Sequence, residues 1–217
     1  MALTHTAKEL ELATQTLNGR ELSTTERYYE THAAEYARRT LTADMSLAYS
    51  RFLPNIPVGG RILDVGCGAG RDLRVFSERG YRVTGIDSSR VMAEIAGKYS
   101  GAPCFVMRVE EMTFVQCFEG IWACASLLHA PKDILPIALH RIHDALTPNG
   151  IMFASVQEGE GEGKAHDGRF FAYYQFQEFK AVVSDADFAI ESAWENEDAL
   201  GRPSQFRWLN VIARRRG

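Results

Sequence analysis

Three glycines stand close together in a stretch that runs from Ile62 to Asp72 and reads ILDVGCGAGRD. Gly66, Gly68 and Gly70 directly follow a short apolar run. Glycine adopts positive φ angles without strain, and because it has no Cβ its peptide groups stay uncovered. The spacing therefore predicts a bend of the main chain against which a ligand can lie almost in van der Waals contact.

A carboxylate ends the next apolar segment, Tyr81–Asp87 (YRVTGID). In open α/β sheets ligands lie beyond the carboxyl ends of the strands, and an acid at the end of the second strand accepts hydrogen bonds from ribose hydroxyls. A glycine bend followed by Asp87 thus predicts a nucleoside ligand. The alternative for Asp87 is a cap at a strand-end turn. The dinucleotide fingerprint G-x-G-x-x-G requires glycine where this chain has Arg71, which disfavours a dinucleotide.

The elements that must hold these residues alternate between strand and helix after residue 60. Continuous apolar strands separated by amphipathic helices indicate a parallel sheet covered by helices on both faces. Two further strands end the chain and can pair as an antiparallel edge, so we predict an α/β fold with a mostly parallel seven-stranded sheet. The predicted strands are Arg61–Val65, Tyr81–Asp87, Cys104–Val109, Phe118–Ala125, Ile151–Val156, Phe188–Trp194 and Trp208–Arg214, and the predicted helices are Arg71–Gly80, Arg90–Tyr99 and Lys132–Leu146.

Ahead of the sheet, apolar and aromatic residues three and four positions apart predict further helices. Their ranges are Ala7–Leu17, Thr25–Arg39 and Ser46–Leu53. We divide the chain accordingly into a helical segment, residues 1–57, and a ligand-binding domain, residues 58–217. Within the domain, Pro148-Asn149-Gly150 is predicted as a turn and Glu158–Lys164 (EGEGEGK) as a mobile loop.

The composition disfavours several classes of function. The 217 residues carry a formal charge of -4, and the only basic run is Arg214–Arg216, so nucleic acid is not an expected partner. The four cysteines form no Cys-x-x-Cys pair and have no histidine at metal-ligand spacing, which predicts reduced thiols, no metal and a cytoplasmic location. The sequence predicts neither a signal core nor a membrane span.

The glycine bend has the form D-x-G-C-G-x-G, and from Arg61 to Val156 the chain resembles the class I S-adenosylmethionine-dependent methyltransferases. Five landmarks of that family stand in order: ILDVGCGAGRD, GIDSS, RVEEMTF, FEGIWACASLLHAP and ALTPNGIMFASV. Within the family the chain is similar to a group of small bacterial enzymes loosely related to the tellurite-resistance and thiopurine methyltransferases. The resemblance implies a Rossmann-like fold, S-adenosyl-L-methionine as the cofactor and S-adenosyl-L-homocysteine as the product.

The resemblance also implies which residues contact the cofactor. Asp64 is expected near the ammonium of its methionine part, Arg71 near the carboxylate and Asp87 at the ribose. The main chain at Cys124 is expected beside the methyl group. The complete expected set is Asp64, Gly66, Cys67, Gly68, Gly70, Arg71, Asp87, Ser88, Glu110, Glu111 and Cys124, with Tyr28 and Tyr36 from an N-terminal helical lid.

Two positions depart from the family's pattern. Arg108 stands where the family commonly has Asp, so Glu110, Glu111 or backbone amides are expected to contact the adenine instead. Gln157 stands where close relatives are expected to have Lys. Because of the departure at Gln157, the loop that follows this residue does not indicate a substrate.

The implied reaction is a one-step displacement in which the acceptor atom aligns behind the methyl carbon. The protein therefore mainly positions the reactants and excludes water, and it needs no nucleophilic side chain. Tyr36 and His129 are the candidate catalytic residues, and the alternative for His129 is a structural role bonded to the main chain. Tyr28, Tyr29 and Tyr36 either pack as an ordinary helix face or cover the cofactor as a lid.

The methyl acceptor is expected to be a small molecule. Convergence of two or more cations from the late loops would indicate an anionic acceptor. The other functions that the sequence leaves open are a nicotinamide-dependent oxidoreductase and a non-catalytic protein that binds S-adenosylmethionine. The candidate acceptor contacts are Tyr29, His129, Lys164, Arg169, Tyr173 and Arg202.

Overall fold

The computed structural model describes residues 22–199 and 207–217. The strands are β1 (Arg61–Val65), β2 (Arg82–Asp87), β3 (Cys104–Val106), β4 (Phe118–Cys124), β5 (Leu146–Gln157), β6 (Glu162–Lys164), β7 (Phe170–Ala172), β8 (Phe188–Asn196) and β9 (Trp208–Arg215). Seven of them form one sheet in the order β3-β2-β1-β4-β5-β9-β8, and β6 pairs with β7. Strands β1 to β5 run parallel to one another, whereas β9 is antiparallel to β5 and β8. The predicted α/β fold is confirmed.

Helices cover both faces of the sheet. They are α1 (Thr24–Thr40), α2 (Ser46–Phe52), α3 (Arg71–Glu78), α4 (Arg90–Ser100), α5 (Leu135–Ala145) and α6 (Phe176–Asp185). Successive residues of a strand point to opposite faces. Leu63 packs in the core that includes α5 and α6, and its neighbour Ile62 packs in the core that includes α2 and α3. The continuous apolar strands of the sequence therefore serve two cores.

Several element boundaries differ from the prediction. β3 ends at Val106 because residues Val109–Glu111 form a 3-10 turn, and α5 begins only at Leu135. The predicted turn at residues 148–150 lies inside β5, where Asn149 has a φ of 63°. The segment predicted as a mobile loop contains β6. β7 and α6 were not predicted, and the predicted helix Ala7–Leu17 lies outside the described residues.

The strand order reverses at β1, which lies between β2 and β4. Such a switch point leaves a crevice at the carboxyl ends of the strands, where ligands of open α/β sheets bind. The glycine bend follows β1 at this edge, and Asp87 ends β2 there. Over the described residues, none of the helices has the length and hydropathy needed to cross a membrane.

Candidate active site

The glycine bend joins β1 to α3. Gly66, Gly68 and Gly70 have φ angles of 69°, 53° and 87°, which side chains with a Cβ rarely adopt. A Cβ on Gly66 would stand 2.3 Å from the Cβ of Ser126, and one on Gly70 would stand 2.9 Å from the main chain of Ala96. Packing within the protein therefore requires glycine at positions 66 and 70. At position 68 only the backbone conformation favours glycine.

Asp87 lies beside the bend. Its Oδ2 accepts a hydrogen bond from the Gly68 amide and its Oδ1 accepts one from the Ser89 amide, each at 2.9 Å. The bond from Ser89 is the strand-end turn that was the alternative for Asp87. An ionised carboxylate has about four acceptor positions, so two further hydroxyl donors can bond to it. Burial raises the pKa of Asp87 to about 6, although both amide hydrogen bonds lower it.

A buried ion pair lies at the start of α3. Arg71 donates to both oxygens of Asp72 at 2.7 and 2.8 Å, and Asp72 also accepts hydrogen bonds from the Tyr49 hydroxyl and Trp122 Nε1. Burial raises the pKa of Asp72, but Arg71 and the other donors outweigh burial and hold it below its usual value. The resemblance implied that Arg71 lies near a ligand carboxylate, and in the structure two of its five N–H donors bond to Asp72.

Asp64 lies near this pair and lacks a comparable partner. It is 1% exposed, and its Oδ2 accepts no hydrogen bond from the described residues. Burial, and then the charge of Asp72, hold the pKa of Asp64 well above its usual range. When ionised, Asp64, Asp72 and Arg71 together carry one net negative charge. A ligand cation near Asp64 would offset the cost of its burial.

Two cavities lie at this edge of the sheet and share Gly66 and His129 in their linings. We call them the Arg71 cavity, of about 250 Å³, and the Glu110 cavity, of about 320 Å³. The predicted residues that line the Arg71 cavity are Tyr29, Tyr36, Gly66, Cys67, Gly68, Arg71, Cys124, His129 and Arg169. Those that line the Glu110 cavity are Gly66, Ser88, Glu110 and His129.

Some predicted residues do not reach these cavities. Lys164 is exposed on β6, and Arg202 lies outside the described residues. Of the three candidate acceptor cations, the described part of the chain therefore brings only Arg169 to the site, so the condition for an anionic acceptor is not met there. The predicted residues that line neither cavity are Tyr28, Asp64, Gly70, Asp87, Glu111, Lys164 and Tyr173. Asp87 nevertheless bonds to Gly68, which lines the Arg71 cavity.

Helix α1 lies over the site and bonds to the sheet edge. Glu26 is 2% exposed and accepts two hydrogen bonds from Arg108, at 2.8 and 2.6 Å. One turn further, Glu30 accepts a hydrogen bond from the Ser89 hydroxyl at 2.9 Å. Arg108, which departs from the family's pattern, thus holds α1 in place. No local sequence pattern indicates this contact, because the two residues are 82 positions apart.

His129 connects α1 to β7. Its Nδ1 lies 2.7 Å from the carbonyl oxygen of Phe170, and its Nε2 lies 2.9 Å from the Tyr29 hydroxyl. Burial lowers the pKa of His129 to about 4, so the ring is neutral at pH 7. The neutral ring donates from Nδ1 to Phe170, and Tyr29 donates to Nε2. This main-chain bond corresponds to the structural alternative for His129.

Among the residues that line the Arg71 cavity without having been assigned to the site from the sequence are Arg39, Gln157, Trp208 and Asn210. Arg39 lies over the Tyr36 ring, 5.4 Å from its centroid, and forms no ion pair with the described residues. Its position three residues after Tyr36 places it on the same helix face, a signal that could have been used. Asn210 is a polar residue inside an apolar strand, which is a second usable signal.

A glycine bend at the switch point, a carboxylate at the end of β2 and two adjacent cavities are typical of α/β proteins that bind a nucleoside-containing cofactor. A family profile described as a methyltransferase domain matches residues 34–193. The chain belongs to this methyltransferase family, and its fold is that of the class I enzymes. This membership overturns the nicotinamide-dependent alternative.

Individual relatives agree with the family. An uncharacterized methyltransferase of Staphylococcus carnosus is 24% identical over 183 residues, which cover 79% of this chain and 87% of that protein. A Bacillus subtilis relative with a provisional methyltransferase name is 31% identical over 110 residues, or 47% of this chain and 44% of that protein. The chain thus matches less than half of the second relative.

A similar solved structure is 1,6-didemethyltoxoflavin-N1-methyltransferase of Burkholderia thailandensis, with 1,6-didemethyltoxoflavin and S-adenosylhomocysteine bound. It is 23% identical, has a TM-score of 0.69 and covers 91% of this chain and 93% of its own. At this identity the likeness shows the fold.

Proposed function

We propose that this protein transfers the methyl group of S-adenosyl-L-methionine to a small-molecule acceptor by direct displacement. The observation that carries the proposal is the pair of cavities that share Gly66 and His129 at the glycine bend. One cavity suits an adenosine, and the other suits a methionine chain together with an acceptor. A small acceptor is also favoured because the structural neighbour from Burkholderia binds one, and because the chain has no net basic charge.

The proposed cofactor site uses the carboxylates described above. Asp87 would accept hydrogen bonds from the ribose hydroxyls, and Ser88 and Glu110 would border the adenine in the Glu110 cavity. Asp64 would face the ammonium, because its Oδ2 has no hydrogen-bond partner in the described part of the chain. Arg39 would share the carboxylate with Arg71, since Asp72 already takes two donors of Arg71.

When bound, the cofactor supplies an electrophilic methyl group on a cationic sulfur. The protein would align the acceptor atom with that methyl group and exclude water from the site. The main chain at Cys124 would border the methyl position, and Tyr29 and Tyr36 would cover the Arg71 cavity from α1. We therefore propose that residues 1–57 act as a lid on the domain formed by residues 58–217.

Tyr36 is proposed to contact the acceptor, and His129 is proposed to position it. His129 is neutral at pH 7, because its pKa is about 4. A base with so low a pKa cannot retain a proton at pH 7, so the acceptor proton would pass to water. His129 would therefore act indirectly. It accepts the hydrogen bond of the Tyr29 hydroxyl and so holds Tyr29, which would contact the acceptor, in place.

Binding of S-adenosylhomocysteine, measured by isothermal titration calorimetry, tests the cofactor site. We expect Asp87→Ala to weaken binding about 10- to 100-fold, because hydrogen bonds to a charged group contribute about 1.5–3 kcal/mol. Asp133→Ala, which changes an exposed carboxylate, is the matched control and is expected to bind like wild type. If folded wild-type protein takes up no S-adenosylhomocysteine, the proposal is wrong.

Turnover tests the remaining alternative, a non-catalytic binding protein. Wild type is expected to convert S-adenosylmethionine to S-adenosylhomocysteine only when a suitable acceptor is added. Binding without turnover over a broad panel of small acceptors would favour the non-catalytic alternative.

A further inference from the structure

A row of uncharged polar residues crosses the sheet at the base of the Arg71 cavity. Cys124 of β4 pairs in register with Ser155 of β5, and Ser155 pairs with Asn210 of β9. All three residues line the cavity. Adjacent strands are about 4.8 Å apart, so Asn210 lies roughly 10 Å from Cys124. That span suits an acceptor of one or two rings.

The Asn210 amide has a fixed orientation. Its Nδ2 donates to the carbonyl oxygens of Trp194 and Trp208, at 3.3 and 3.1 Å, and to Asn196 Oδ1 at 2.6 Å. Only the NH2 group can donate to carbonyl oxygens, so the network settles which atom is oxygen. The residue is 3% exposed, and its Oδ1 accepts no hydrogen bond from the described residues. The cavity thus presents an acceptor atom that the described residues leave available to a donor from a ligand.

Gln157 provides a second amide at the same end of the cavity. It is half-buried, and its side chain makes no hydrogen bond with the described residues. Gln157 is the register partner of Trp208, whose indole lines the same cavity, and Phe171 lines it as well. Aromatic rings bind planar molecules by stacking or edge contacts, and the amide can both donate to and accept from such a molecule.

The charges around the cavity do not select an anion. Arg169 donates to Asp167 at 2.6 and 2.9 Å, and Arg71 is paired with Asp72. Arg39 is the cation that these carboxylates leave uncompensated, and the proposed cofactor carboxylate accounts for it. Asp198 also lines the cavity, so the described residues at the amide end contribute no unpaired cation that would favour an anionic ligand.

We propose that the methyl acceptor is an uncharged aromatic or heteroaromatic molecule with an N–H or O–H group that donates to Asn210 Oδ1. The Gln157 amide forms a hydrogen bond with a neighbouring heteroatom of this molecule, and Trp208 and Phe171 contact its ring. This inference rests on the proposed function, since it names the acceptor class for the same site.

The test measures binding to protein saturated with S-adenosylhomocysteine, by saturation-transfer NMR titration. The probes are two matched pairs, 3-hydroxypyridine with 3-methoxypyridine and 6-hydroxyquinoline with 6-methoxyquinoline, and one anion, quinoline-6-carboxylate. We expect each hydroxyl compound to bind about tenfold more tightly than its methyl ether, because the ether leaves Asn210 Oδ1 without a donor.

Two variants locate the contacts. Asn210→Leu is expected to reduce the preference to about twofold, and Gln177→Met, an exposed amide on α6, is the control that retains it. Gln157→Met is expected to weaken both members of each pair alike, because both keep the ring nitrogen that contacts Gln157. Asn210→Leu also loses three hydrogen bonds, so the wild-type pairs and Gln157→Met decide the test if that variant does not fold. Equal binding within the wild-type pairs, unweakened binding in Gln157→Met, or tightest binding of the carboxylate would overturn the inference.

Calorimetry with S-adenosylhomocysteine separates the two levels of failure. Intact cofactor binding without a hydroxyl preference rejects the acceptor class and leaves the proposed function standing. Absent cofactor binding in folded wild type rejects the proposed function itself.

Discussion

Asp64 and Asp87 are buried carboxylates whose raised pKa values have the same cause. Burial disfavours the charged form of both, and neither forms an ion pair with the described residues. Asp72 is equally buried, but Arg71 holds its pKa low. This difference in pKa distinguishes Asp72, whose charge is balanced within the protein, from Asp64 and Asp87, which are suited to bind a ligand.

The pKa of Asp87 makes cofactor binding pH-dependent. Free protein binds a proton at Asp87 below about pH 6, and ribose hydroxyls that donate to the carboxylate would lower that pKa. Affinity for S-adenosylhomocysteine is therefore expected to fall about tenfold between pH 7.5 and pH 5, with proton release on binding. Calorimetry in two buffers of different ionisation enthalpy measures both quantities.

Asp87→Asn is the control for that pH dependence. Asp87 has a raised pKa in the folded state, so its contribution to the free energy of unfolding is largest at low pH and falls as the pH rises from about 4 to 6. His129, with a lowered pKa, acts in the opposite direction, and it is present in both proteins. If the affinity of Asp87→Asn for S-adenosylhomocysteine depends on pH as that of wild type does, Asp87 is not the titrating group and the assignment is wrong.

At the scale of elements, α1 is the part of the site that depends most on specific side chains. Its apolar contacts are small, mainly Ala33 and Ala37 against Ala69 and Met92. The buried Glu26 carboxylate pairs with Arg108, and removal of Arg108 deletes two of the hydrogen bonds that this carboxylate accepts. Docking of α1 therefore relies on this pair more than on hydrophobic area.

Arg108→Ala is expected to release α1 without unfolding the sheet. Amide hydrogen exchange of residues 24–40 should accelerate at least about tenfold, and affinity for S-adenosylhomocysteine should fall by a similar factor. Hydrogen-exchange mass spectrometry measures the first effect peptide by peptide. Arg74→Ala removes an exposed pair with Glu78 and should change neither quantity. Unchanged exchange in α1 would show that the pair does not hold it.

At the scale of the whole molecule, the sequence predicts what local periodicity encodes. β1 has the predicted bounds, because an apolar run followed by a glycine bend defines both of its ends. β6 lacks apolar residues and is defined only by its pairing with β7, so EGEGEGK indicated a loop. The contacts Glu26 to Arg108 and Tyr29 to His129 join residues 82 and 100 positions apart, which no local pattern encodes.

The same distinction applies to the site. Asp87 and the glycines were predictable, because each occupies the end of an element with a fixed place at the sheet edge. The partner of Arg71 was not, since Asp72 is its sequence neighbour and only the packing of Tyr49 and Trp122 directs that carboxylate inward. The sequence therefore predicted the edge of the sheet at which the cofactor is expected better than it predicted the hydrogen-bond partners of individual side chains.

Cofactor binding should stabilise the whole chain, because the site joins α1, the glycine bend and the ends of β2, β4 and β5. At a free concentration of 100 times Kd, a ligand that binds only folded protein adds about 2.7 kcal/mol to the free energy of unfolding. For a chain of this size each kcal/mol corresponds to about 2–4 °C, so S-adenosylhomocysteine should raise Tm by about 5–10 °C. Scanning calorimetry measures the shift, and NAD and NADP at equal concentration serve as controls. A comparable rise with either dinucleotide would mean that the cavities accept nucleotides in general, and the link between the glycine bend and the adenosyl cofactor would then fail.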